Sequence, residues 1–203
     1  MKHPISYTCA AVIAAGTLIA GFALANDKPA DQKMDPQTAE MMKKMEVAGT
    51  PGSAHKALEP LVGSWNVEVK QWMSPDAPPT TTKGTSKATW AMDGRFVQEE
   101  FKGEFMGKPF RGLSFTGYDN TKQRYNNVWM DDMHTAIFTS EGEGENGGKV
   151  VTLEGSYDCP LTGEKNKAMK QVIRVISRDK HVLEMYDPGK GNARTMEITY
   201  TRK

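Results

Sequence analysis

Arg174 and Glu184 are the residue pair with the clearest chemical potential. A hairpin centred on Asp179 with a three-residue loop would set them directly opposite each other on antiparallel strands, with Ile176 opposite Val182 on the same face. Val172 and Ile176 flank Arg174 on that face. The spacing therefore allows the guanidinium to point into an apolar interior, where only a paired cation is tolerable. There it would anchor the polar head of a ligand, with Tyr186 adjacent. The plainer alternative is a cross-strand ion pair on the outer surface, worth about 0.2–1 kcal/mol. Trp129 and Asp131, two apart on another strand, also share a face, and Trp90 offers a further aromatic wall. Trp90, Trp129, Asp131, Arg174, Glu184 and Tyr186 are thus the candidate ligand-binding residues, and no catalytic or metal-ligating residue is assigned.

Other motifs carry less. Gly142-Glu143-Gly144-Glu145-Asn146-Gly147 has the letters of the dinucleotide fingerprint, but no helix follows, and Glu141, Glu143 and Glu145 would repel a pyrophosphate. It reads as a hairpin loop. Those glutamates lack the spacing of a calcium loop. Paired-cysteine zinc motifs, His-Glu-x-x-His and Gly-x-Ser-x-Gly are all missing. Met130, Met133 and His134 form the one soft-ligand cluster, which an exported protein could use for copper(I). The competing reading puts Met130 on a barrel face and Met133 in a turn, and no cofactor is assigned.

The elements that must position these residues begin after an export segment. Lys2 and His3 form a short basic start, 10–23 is uncharged, and Ala23-Leu24-Ala25 offers the small residues of a signal-peptidase site. We read 1–25 as a signal peptide, with an uncleaved anchor as the alternative, since the uncharged run from Ile5 to Asn26 is about long enough to span. Cleavage predicts an exported protein, periplasmic or secreted. It removes Lys2 and Cys9, leaving 25 basic against 25 acidic residues and one cysteine, Cys159, so no internal disulfide is available. That charge balance gives no reason to expect nucleic-acid binding.

From Asn26 to Gly63 there is no Phe, Tyr or Trp, which marks 26–52 as a polar leader outside the main core. Asp35-Pro36 predicts a helix start, Met41, Met42, Met45 and Ala48 recur at helical spacing, and Gly49 stops the run. The expected role of these methionines, with Met34, is to pack a helix face on the domain. A second short helix is expected over Ser53–Leu61. After Gly63 the period falls to two, predicting about ten short strands separated by turn chemistry such as Asp93-Gly94. No segment is long enough for a crossover helix, so neighbours are antiparallel. A meander of this length closes on itself to remove its edges. We therefore expect an all-β, antiparallel up-and-down barrel of lipocalin-like type over 53–203, with the short helices plugging one end.

The run His55-Lys56-x-Leu58-Glu59-x-Leu61-Val62-Gly63-x-Trp65 resembles the opening of a bacterial family of unknown function, number fifteen-seventy-nine. The match continues through Gly94-Arg95-Phe96, Phe105-Met106-Gly107-x-Pro109-Phe110, Gly117-Tyr118-Asp119-Asn120, Trp129-x-Asp131-x-Met133, Glu184-Met185-Tyr186 and Met196-Glu197-Ile198-x-Tyr200-Thr201. It spans His55 to Lys203. The family is similar to calycins, whose barrels commonly hold small apolar ligands, and Gly63-x-Trp65 looks like the lipocalin first-strand motif, whose tryptophan closes the barrel floor. The resemblance implies a fold and no activity. The leading expectation is a non-catalytic module holding a small apolar or amphipathic ligand. The alternatives are an isomerase or hydrolase using Asp131 or Glu184 as a base, a haem- or copper-binding protein, and a partner-binding role for the leader helix.

Overall fold

Side chains that alternate between two environments, broken by tight turns, give ten strands in chain order. The computed structural model describes residues 34–74 and 76–203; residues 1–25, expected to form an export segment, lie outside them. The strands are β1 (Gly63–Gln71), β2 (Thr80–Ala91), β3 (Phe96–Phe105), β4 (Lys108–Asp119), β5 (Arg124–Asp131), β6 (Phe138–Glu145), β7 (Val150–Tyr157), β8 (Lys167–Ser177), β9 (Lys180–Asp187) and β10 (Ala193–Arg202). Each pairs antiparallel with its sequence neighbour, and β1 pairs with β10 from Trp65↔Arg202 to Gln71↔Met196, so the barrel closes. Closure satisfies the ladder bonds that an open meander would leave at two edges.

The register fixes which residues face inward. Trp65, Val67 and Val69 of β1 stand opposite Ser86, Gly84 and Thr82 of β2, and opposite Arg202, Tyr200 and Ile198 of β10. Following the pairs round the barrel brings Ala88, Glu99, Ser114, Trp129 and Phe138 to one inward-facing level on β2 to β6.

One end is plugged. Helix α2 (Ser53–Lys56) and the 3₁₀ turn Glu59–Leu61 divide between them the single helix expected over Ser53–Leu61. Leu58 inserts between Ala88, Val97, Tyr125, Val151 and Leu153, forming the lower core. Trp65 is fully buried beside this plug and donates from Nε1 to the Leu61 carbonyl at 2.9 Å, while the Arg202 guanidinium lies 4.3 Å from its ring centre. The first-strand tryptophan therefore closes the barrel floor.

The leader helix α1 (Pro36–Gly49) starts at Asp35, whose carboxylate caps the Gln37 and Thr38 amides at 3.0 Å. The expected packing of its methionines is corrected here. Met34, Met41, Met42 and Met45 are all more than half exposed and α1 buries no residue. Its end is held instead by Asn120, whose side-chain amide donates to the Ala48 and Thr50 carbonyls at 3.1 and 2.8 Å. A second correction is local: β2 and β3 are joined by Met92–Arg95, with Met92, Asp93 and Gly94 all at positive φ, rather than by Asp93-Gly94 alone.

Candidate functional site

Glu99 lies on the inward face of β3, between Val97 and Phe101, and was not among the sequence candidates. The strict alternation Val97-x-Glu99-x-Phe101 was the signal that could have found it. Its Oε1 accepts the Ser86 hydroxyl of β2 at 2.6 Å. Protein encloses the carboxyl, yet the residue keeps part of its surface accessible although it points inward, so that surface belongs to the barrel lumen. None of the ion pairs among the described residues includes Glu99. Burial pushes its carboxyl above the ordinary value, and the hydroxyls of Ser86, Tyr200 and Ser114 oppose this only in part. Tyr200, buried on β10, is itself raised well above the usual phenol range by burial and by the neighbouring Glu99.

Aromatic rings line the wall beyond this carboxyl. Phe101 and Phe110 have ring centres 5.9 Å apart, and Phe110 stacks on Trp129 at 6.3 Å. The Phe101 and Trp129 rings lie against glycines. A β-carbon on Gly84 or Gly103 would come within 2.9 or 2.7 Å of the Phe101 ring, and one on Gly112 would overlap the Trp129 indole. Rings laid over glycines leave the lumen less filled than rings projecting from a wall of larger residues. Phe110, Trp129, Phe138, Leu183 and Ile198 all face inward and all remain partly accessible.

The six sequence candidates divide between inside and outside. Trp129 and Asp131 face inward, and the Trp129 Nε1 donates to Asp131 Oδ2 at 2.9 Å. Asp131 Oδ1 also accepts from the Met133 and His134 amides at 3.0 Å and meets His134 Nδ1 at 2.8 Å. Burial pushes this carboxyl up, but the bonds from Trp129, His134 and the Met133 amide outweigh it and hold it below its ordinary value. Asp131 is therefore a saturated carboxylate that orients the Trp129 ring. Trp90 also faces inward, but at the plugged end, where it packs on the lower core and donates to Glu59 Oε2 at 2.7 Å.

Arg174, Glu184 and Tyr186 lie on the outer face, which corrects the expected inward position and register. A bulge between Val175 and Ser177 shifts the β8–β9 hairpin, so Arg174 stands opposite Val182 and Glu184 opposite Val172. The inward positions are instead Gln171, Ile173 and Val175. Arg174 still reaches Glu184 diagonally, its Nε donating to Oε2 at 2.8 Å. Arg194 bridges Glu184 and Glu197 and covers the Trp72 ring at 4.6 Å. Burial pushes Glu184 up, while Arg174, Tyr186 and Arg194 more than offset it.

His181 is a further buried titratable group in the interior. It stacks on Tyr200 with ring centres 4.2 Å apart and meets Trp65 edge-on at 4.5 Å. Its Nδ1 is buried without a partner, and desolvation, assisted by Arg202, lowers its pKa to about 3. The imidazole is neutral inside the barrel. No cluster of three His, Cys, Asp or Glu side chains suited to a metal occurs among the described residues. A groove of about 600 Å³ runs along the outside of the plugged end between Glu59, Lys149, Ile176 and Arg178. Its Arg202 is already committed to the Val62 and Arg178 carbonyls and to Asp179.

The sequence model of the family described as "Protein of unknown function (DUF1579)" matches residues 50–202. No curated protein matches the chain. Among solved structures, Rv2717c from M. tuberculosis is similar, with a TM-score of 0.54 and 18% identity over 76% of this chain and 99% of that one. At that identity the likeness concerns the fold alone. A redesigned beta barrel also matches, at 12% identity and a TM-score of 0.39 over 72% of this chain and 95% of that one.

Proposed function

This chain belongs to the DUF1579 family, and we propose that it is an exported barrel that holds a small apolar or amphipathic molecule in its lumen. The observation that supports this reading best is Glu99: an enclosed carboxyl that no Lys or Arg pairs with among the described residues, on the same inward face as the partly accessible rings of Phe110 and Trp129. Apolar pockets with one or two directed polar groups are the usual form of small-molecule sites. The site is Glu99, Ser86, Ser114, Phe101, Phe110 and Trp129. Trp90 belongs to the plug, and Arg174, Glu184 and Tyr186 to the outer wall.

The test is titration of the purified chain with N-phenyl-1-naphthylamine, a neutral apolar fluorophore. Saturable binding of one molecule per chain is expected, with energy transfer from tryptophan and about fivefold weaker binding in Trp129→Leu. Emission that rises linearly without saturation would remove the reading. The same carboxyl favours a second reading, an isomerase whose acid–base group is Glu99 rather than Asp131 or Glu184. Turnover of a β,γ-unsaturated ketone that is lost in Glu99→Gln would promote it over simple storage.

Export is part of the proposal and rests on the 1–25 pattern. N-terminal sequencing of the protein recovered from its own compartment should begin at Asn26.

A further inference from the structure

We propose that the lumen selects apolar molecules that carry a carbonyl oxygen, and that the protonated carboxyl of Glu99 is the group that donates a hydrogen bond to it. The inference rests on the lumen-binding reading above and names the ligand chemistry. The Ser86 hydroxyl occupies Oε1, whereas Oε2 carries no comparable bond and is not among the polar atoms sealed by protein. A carboxyl in that setting has one oxygen fixed by Ser86 and the other still partly accessible from the inward face.

The groups facing Glu99 decide its protonation. From β2 there is Ser86, from β4 Ser114 and from β10 Tyr200, all hydroxyls. His181 of β9 stands behind Tyr200 as a neutral ring. No Lys or Arg pairs with Glu99 among the described residues, so an ionised carboxyl would have to be stabilised by hydroxyls alone. The protonated form brings an O–H donor that the ring wall does not accept and that only the neighbouring hydroxyls of Ser86, Ser114 and Tyr200 can take up. A ligand oxygen with a free lone pair adds an acceptor there, while a hydrocarbon adds none. A ketone, aldehyde or amide carbonyl on an apolar body fits both requirements. A cationic amine would require the opposite protonation state.

The experiment compares two probes of nearly equal shape on the full chain at pH 6: 6-propionyl-2-(dimethylamino)naphthalene and its 6-propyl counterpart, which lacks the carbonyl. Glu99→Ala should weaken the ketone about tenfold and the hydrocarbon less than twofold, and Glu99→Gln, which keeps an N–H donor, should retain most of the ketone affinity. Infrared spectra of the ketone bound to the unaltered protein should show the carbonyl stretch at lower wavenumber than in hexane, a readout that needs no variant. An unshifted stretch, or equal loss of both probes in Glu99→Ala, overturns the inference while lumen binding stands. A trimethylammonium analogue that binds tighter than the ketone, and depends on Glu99, overturns it in favour of an ionised carboxylate. Failure of both naphthalene probes to bind the unaltered protein defeats the lumen reading and this inference together.

Discussion

The indole of Trp129 lies against Gly112 on the adjacent strand, where any β-carbon would overlap the ring, and Asp131 holds the indole there through Nε1. A glycine, an aromatic ring and a saturated carboxylate thus form one device that keeps a large side chain flat on the wall. Gly112→Ala should push the ring into the lumen. We expect about fivefold weaker binding of N-phenyl-1-naphthylamine, together with a stability loss of about 1–3 kcal/mol from overpacking. Fluorescence titration and urea unfolding measure the two effects. Unchanged affinity with full stability loss would show that the indole does not border the bound molecule.

His181 predicts a pH dependence of stability with a definite sign. Its folded pKa is lowered to about 3 from 6.5, so between those values the unfolded chain takes up a proton that the folded one refuses. Its contribution is complete above pH 6.5 and is lost as pH falls toward 3, at up to about 1.4 kcal/mol per pH unit. His181→Phe should keep the stack on Tyr200 while removing the titrating group. Urea unfolding at pH 4, 5, 6 and 7 should therefore show a shallower slope in the variant. Parallel slopes would mean that His181 titrates alike in the folded and unfolded chain, so that burial does not shift it.

Outer-face placement makes Arg174 a test of what the site is not. Arg174→Met should leave the affinity for N-phenyl-1-naphthylamine within twofold of the unaltered protein. It should cost only about 0.2–1 kcal/mol of stability, since the Arg174 side chain is 43% exposed and its pair with Glu184 is screened by solvent. A large loss of probe binding would bring Arg174 back into the site.

Much of the fold can be read from local pattern. Val97-x-Glu99-x-Phe101 and Trp65-x-Val67-x-Val69 announce strands with one inward face, and Asp35-Pro36 announces a helix start that is observed at Pro36. The site was less legible. On β8, Val172 and Ile176 are apolar and so are Ile173 and Val175, so hydrophobicity alone does not say which set faces in. One bulged residue at the β8–β9 hairpin decides it, because a single-residue slip exchanges the two faces of a strand. Glu99 was hidden for the opposite reason: a glutamate beside Gln98 and Glu100 reads as solvated until closure of the barrel encloses it.

The sequence by itself determined the ten strands, their antiparallel order, the plug before Trp65 and the exclusion of several metal and nucleotide motifs, because these depend on residues near one another in the chain. Only the tertiary structure decided that Glu99 meets Ser86 and Tyr200, that Trp129 rests on Gly112, and that Arg174 and Glu184 look outward. Those relationships join strands far apart in sequence or hang on register, and both are set when the sheet closes on itself rather than by any local preference.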